Sequence, residues 1–410
     1  MAEGMQDTRT RQAGLWLTLL LSALVLLNYV DRGALGIAAP KLKDELLLSA
    51  TTFGIAVSAF SWVYAPAQFA VGWLSDRFCV YRLIAAGLAV WALATFLTGF
   101  ANGLAMLVVL RVMLGIGEGV AFPSASKIIA RHVIAERRGL ANSAVAAALA
   151  WGPALGTFAG GLILSYFGWR PIFIVFGLVT LLWIVPWLLV SRPQWRAYVH
   201  GSGKNVPVRR LLRNRTVWAM GIGHFCNTYG FYFLLAWLPL FLVKVRGLSI
   251  IEMTAMTTVA YVVQGFGALG WGWLSDRLVK GGWDEGRVRK GLMCIYLLVT
   301  AAAILGIGFS SSPPAIFACL LLNAVFGGIG GAQAYAIAQV YAGPEAAGTW
   351  VGVMNGLGNT SGIVGPVLTG LLIENTGSYM AAFMVSAVIV GFGAIWWWAA
   401  LPRVERLRLD

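Results

Sequence analysis

Charge is scarce in this chain: Asp, Glu, Lys and Arg supply 11% of 410 residues, against roughly a quarter in ordinary soluble domains. So little charge cannot clothe a soluble surface, and hydrophobic residues at 59% with a mean hydropathy of +0.78 mark a membrane protein. Cysteine is scarce too. Cys79, Cys226, Cys294 and Cys319 form no CxxC pair and lie in or beside apolar runs, which excludes a disulfide framework or a cysteine-based metal site. HExxH and GxxxxGK[ST] are absent, and the glycine-rich "GIGEG" and "FGGIGG" sit inside apolar runs rather than at strand-to-helix turns. No enzyme activity, cofactor or metal is therefore expected.

What is present is a series of apolar runs, each near the ~20 residues that cross a bilayer as a helix. They fall near 15–39, 51–75, 82–101, 104–130, 139–166, 171–191, 216–243, 250–275, 290–309, 314–342, 348–373 and 379–401, twelve in all. With the N-terminus placed inside, alternate connections hold 22 Lys and Arg on the inner side and 5 on the outer. This bias puts both termini in the cytoplasm, in a bacterial-type inner or plasma membrane. The formal net charge of +14 is thus explained by topology, and nucleic-acid binding is not expected.

The polar interval 191–215 separates six spans from six, giving a first lobe over 1–190, a cytoplasmic linker over 191–215, a second lobe over 216–401 and a tail over 402–410. The phrase "GWLSDR" occurs at Gly72–Arg77 and again at Gly272–Arg277, closing the second span of each half. A duplicated six-span unit is the plan of two-lobed transporters that rock about a mid-membrane site. The expected fold is therefore an all-α membrane protein with twelve transmembrane helices in two pseudo-symmetric six-helix lobes, expected to act as a monomer. Gly72 and Gly272 are read as points of close helix approach. Asp76, Arg77, Asp276 and Arg277 are read as a conformational latch that forms in one rocking state and breaks in the other. "GWLSDRFCVYR" resembles the loop signature of the major facilitator superfamily, with Cys79 in place of the usual Gly and Val80 and Tyr81 in place of basic residues.

Ionisable groups inside spans are expensive and need a reason. The first lobe has Asp31 and Arg32 in "NYVDR", Arg111 and Glu118 in "RVMLGIGEG", and Lys127, read as a snorkelling surface lysine. Arg111 and Glu118 are two turns apart and share a helix face. The four can be structural salt bridges between the first and fourth spans, or the working parts of a proton-coupled anion carrier. In the second case a fixed guanidinium anchors a carboxylate while buried acids gain and lose protons as their surroundings change.

"NYVDR", "SAFSWVYAPAQ", "RVMLGIGEGVAFP", "ERRGLA" and "FGWRPIF" together resemble the anion:cation symporter branch of the superfamily, with "GVMNGLGNTSGIVGPVLTG" extending the likeness into the second lobe. The resemblance implies that Asp31 and Glu118 are proton-coupling carboxylates, Arg32 the substrate anchor and Arg111 a balancing arginine. It also implies Tyr64 at the substrate and Asn355 and Asn359 in an asparagine motif. The fifth span lacks the polar glutamine of sugar-acid permeases, so a less polar acid is admitted. Tyr232, Tyr261 and Gln264 are candidates for the uncharged part of the substrate, and His224 is read as a packed residue. The expected function is secondary transport of a small organic anion, a carboxylate, by proton symport. Exchange or uniport in the same fold, or a non-transporting sensor, remain the alternatives.

Overall fold

The computed structural model describes residues 2–132, 135–196 and 211–407. Thirteen helices hold nearly all of them: α1 (Ala2–Glu45), α2 (Ala50–Arg77), α3 (Val80–Thr98), α4 (Leu104–Glu118), α5 (Ala121–His132), α6 (Ala135–Phe167), α7 (Arg170–Arg196), α8 (Arg215–Lys244), α9 (Ile250–Lys280), α10 (Glu285–Phe309), α11 (Pro313–Asn359), α12 (Ser361–Thr376) and α13 (Tyr379–Ala399). Among the described residues, nine helical stretches are long and apolar enough to cross a membrane. The other expected spans are α2, α9 and the pair α4–α5. α4 and α5 are 15 and 12 residues long, so neither reaches across alone and the expected fourth span is made of the two in succession.

Short turns reverse the chain between helices, so the turns at 45–50, 244–250 and 376–379 share one end of the bundle, called here the far end. The duplication extends to how helices begin. Ser49 caps α2 by accepting from the Thr52 N–H, and Ser249, 200 positions later, caps α9 by accepting from the Glu252 N–H. Sequence places separate helices at 314–342 and 348–373, whereas α11 runs unbroken to Asn359. The break comes where the Thr360 hydroxyl bonds back to the Leu357 carbonyl, and Pro366 cannot donate to the carbonyl one turn before it.

Helices α1–α7 pack largely among themselves, as do α8–α13. The seam between the two groups is made by α1 on α8, α2 on α11 and α12, and α6 on α9. At the far end it is pinned by a Lys244–Asp44 ion pair and by Glu374, whose Oε2 accepts from the Ser49 hydroxyl at 3.2 Å and the Thr51 N–H at 3.1 Å. Gly36 lies so close to the Leu235 carbonyl that a Cβ there would collide with it, and Phe53 meets Trp237 edge-on at 5.4 Å. The linker expected at 191–215 lies largely outside the described residues. The tail docks on the second group, where the Tyr341 hydroxyl donates to the Pro402 carbonyl at 2.8 Å.

Candidate anion site

A little more than one turn of α1 carries much of the site. Asn28 and Arg32 are one turn apart and share a face, while Asp31 projects about 100° away from Arg32. Glu118 ends α4. It reaches the interior because "GIGEG" has no side chains where α4 presses on its neighbours: a Cβ at Gly115 would strike the Phe60 carbonyl, and one at Gly117 would lie 2.6 Å from the Trp91 nitrogen. Glu118 is fully buried and accepts from the Arg32 Nε at 2.8 Å.

The Arg32 guanidinium is wrapped in aromatic faces, 4.3 Å from the centre of Tyr64, 4.7 Å from Tyr29 and 5.0 Å from Phe60. Arg111 lies 5.3 Å from the Phe60 ring, so one phenyl ring serves both guanidinium groups. Arg32 Nη2 and Arg111 Nε have no hydrogen-bond partner among the described residues, and no described carboxylate lies within ion-pair distance of Arg111. Both arginines face a small cavity with Phe60 and Ser61, closed from the second group by Tyr232, Leu235 and Gly362. A buried cation left short of partners costs several kcal/mol, which an arriving anion offsets.

Asp31 departs from the expected arrangement. Its carboxylate turns away from both arginines, and Oδ2 accepts from Trp91 Nε1 at 2.6 Å, Thr95 Oγ1 at 3.3 Å and Thr180 Oγ1 at 3.4 Å. Oδ1 is buried without a partner. Trp91 can only donate, so Oδ2 serves as its acceptor, and Oδ1 is the carboxylate oxygen left with free lone pairs. Sequence reasoning missed these three donors: they lie on α3 and α7, far along the chain, and uncharged donors in spans carry no distinguishing pattern.

In the second group the Asn359 amide nitrogen donates to the Asn355 carbonyl at 2.8 Å, which leaves its oxygen to accept from the Tyr232 hydroxyl at 2.6 Å. Asn355 sits one layer further back, its side-chain oxygen within 3.0 Å of His224 Nε2 and 2.9 Å of the Tyr335 hydroxyl. Arg32, Arg111 and Tyr232 thus share one cavity, with Tyr64 under Arg32 and Asn359 behind Tyr232. Tyr261 and Gln264 line a different and larger cavity. Of the expected latch, Gly72 and the side chains of Asp76, Arg77 and Asp276 lie outside the described residues, as does that of Lys127. Arg277 is over the Trp273 ring at 5.1 Å. The close helix approach expected at Gly272 is not found: a Cβ there meets nothing within 4 Å, so this glycine faces open space.

The sequence profile of the Major Facilitator Superfamily matches residues 21–283 and 246–409, and the chain belongs to this superfamily. The fold agrees: a bacterial homologue of the human lysosomal transporter Spinster, solved in an inward-facing and unoccupied conformation, superposes with a TM-score of 0.79 over 96% of this chain and 98% of that one, at 19% identity. A Cupriavidus necator protein named "Probable sulfoacetate transporter" is 31% identical, covering 90% of this chain and 89% of its own length. The hexuronate transporter of Bacillus subtilis is 28% identical, with 90% of each chain covered.

Proposed function

We propose that this chain is a secondary transporter that carries a small organic anion, a carboxylate or similar acid, together with protons across a bacterial-type inner or plasma membrane. The observation that carries this reading is the cavity that holds Arg32 and Arg111 with a single carboxylate, Glu118, in ion-pair contact. Such a site has spare positive charge and spare donors for one anionic group. The relatives named for sulfoacetate and hexuronate support the same class of cargo.

In this reading the lobes span 1–190 and 216–401, both termini are cytoplasmic, and the far end faces outward. The pinned far end then corresponds to a state closed to the outside. The anion docks on Arg32 and Arg111 with Tyr64 and Tyr232 around it, and Asn355 and Asn359 support Tyr232 from behind. Glu118 exchanges its hold on Arg32 for a proton as the anion arrives. Asp31 takes a second proton on Oδ1, away from the anion. Asp76, Arg77, Asp276 and Arg277 act at the cytoplasmic rim when the far end opens. A single chain suffices, since both arginines and their facing residues come from one copy.

Purified protein in proteoliposomes tests the reading. Uptake of sulfoacetate or D-glucuronate should rise when the outside is made acidic relative to the lumen, and should vanish in Arg32→Ala. Uptake that ignores the proton gradient and needs internal substrate would replace symport with exchange.

A further inference from the structure

The larger cavity lies on the other flank of α1 from the arginines. Gly33 and Ile37 line it, whereas Arg32 and Gly36 line the arginine cavity, and Leu235 of α8 belongs to both walls. Nothing lies within 4 Å of a Cβ placed on Gly33, so this glycine opens onto the empty space beside the anchor. No charged residue lines the chamber. Its aliphatic walls include Leu234, Leu238 and Leu320. Three polar side chains on two helices, Tyr261 and Gln264 of α9 and Asn323 of α11, line it with no hydrogen-bond partner among the described residues. Thr300 of α10 is 3% exposed with an unpartnered hydroxyl and lines the same space. Uncharged walls with vacant donors and acceptors suit a neutral group that is partly apolar and makes one or two hydrogen bonds.

Resting on the anion-carrier reading above, we infer that the cargo is an amphipathic acid, whose anionic head meets Arg32 and whose uncharged, amide-bearing apolar body occupies the chamber beyond Leu235. Leu235 is the partition between head and body and must swing aside for a ligand to fill both. Gln264 and Asn323 read the polar group of the body, and Gly33 supplies room for it. Small acids such as acetate occupy the head site alone.

The test compares acetate, phenylacetate and N-benzoylglycine by calorimetry on the purified full chain in nanodiscs. N-benzoylglycine should bind about tenfold or more tightly than acetate, with phenylacetate between them, as expected for burying a ring and pairing an amide. Gly33→Val should reduce that advantage to within about twofold while leaving acetate unchanged. Gln264→Leu and Thr300→Val, which do not intrude on the helix contacts, should weaken N-benzoylglycine several-fold and spare phenylacetate. Equal affinities for the three acids, or an advantage that survives all three substitutions, would overturn the inference. Failure of acetate, sulfoacetate and D-glucuronate alike to depend on Arg32 is a different result, and it would overturn the carrier reading instead.

Discussion

Asp44 of α1 and Lys244 of α8 form an ion pair across the seam, and they are 200 positions apart, the offset that also separates the two "GWLSDR" phrases and the helix-capping serines Ser49 and Ser249. Equivalent positions meet in this way only near the axis that relates two similar halves. The pair is 59% and 41% exposed, so it contributes at most about 1 kcal/mol and is readily broken. Glu374, holding the N-terminus of α2 from the opposite half, adds a second contact of the same kind.

These contacts are suited to a gate because each is weak alone. Lys244→Ala or Glu374→Gln should shift the balance toward far-end opening about two- to fivefold, the ratio equivalent to ~0.5–1 kcal/mol. The readout is the rate at which an impermeant maleimide, applied from the far side, modifies Ser61→Cys inside the arginine cavity. An unchanged rate in both variants would mean that apolar packing around Gly36 and Trp237 alone keeps the far end shut.

Orientation can be read directly from two exposed turns. Leu47 is 91% exposed at the far end and Trp283 is 66% exposed at the opposite end. In a background with the four native cysteines replaced, Leu47→Cys should be labelled by an impermeant reagent on intact cells, and Trp283→Cys only after permeabilisation. The reverse pattern would invert the topology derived from the lysine and arginine bias.

How much of this was legible beforehand follows from which interactions leave a periodic or charged trace. Two halves were visible because duplication repeats whole phrases, and Arg32 and Glu118 stood out because charge inside an apolar span is rare. Their pairing across 86 residues is bonded as the sequence allowed. Asp31 was legible as a residue but not as an environment: Trp91, Thr95 and Thr180 are ordinary in spans, and nothing in their spacing points to a carboxylate 60, 64 and 149 residues away. The separation of Tyr261 and Gln264 from Tyr232 was likewise invisible, because it depends on which flank of α1 each helix meets. Gly272 shows the opposite error, where a repeated glycine in a motif implied a contact that this arrangement of helices does not make.

The two carboxylates should separate experimentally. Asp31→Asn keeps an oxygen for Trp91 and leaves the arginines untouched, so anion affinity should stay within about twofold while gradient-driven accumulation is lost and counterflow persists. Glu118→Gln removes the charge that competes for Arg32. Anion affinity should rise several-fold and lose its dependence on pH, because no proton is then needed to free the guanidinium. For the wild type the sign follows: acidifying the binding side protonates Glu118, frees Arg32 and strengthens anion binding. Equilibrium binding of sulfoacetate between pH 5.5 and 8 checks both variants. An Asp31→Asn protein with unchanged accumulation would remove Asp31 from proton coupling.

Arg32 has two duties, partner to Glu118 and anchor to the anion, and a single substitution confuses them. Arg32→Ala strands a buried carboxylate, a loss of about 3–5 kcal/mol unless Glu118 takes up a proton, and the variant should therefore be less stable as well as inactive. The double change Arg32→Ala with Glu118→Gln removes both charges and should recover most of the lost melting temperature while anion binding stays at least a hundredfold weakened. Arg32→Lys keeps the charge but gives up the planar fork that lies against Tyr64, Tyr29 and Phe60, so it should fold normally and bind at least tenfold more weakly. Arg111→Ala breaks no ion pair among the described residues and should leave stability near that of the wild type while weakening the anion. Thermal melts and binding measured on the same four preparations decide the matter. If the double variant regains anion binding along with its stability, Arg32 served the fold alone, and the salt-bridge alternative drawn from the sequence would replace the anchor.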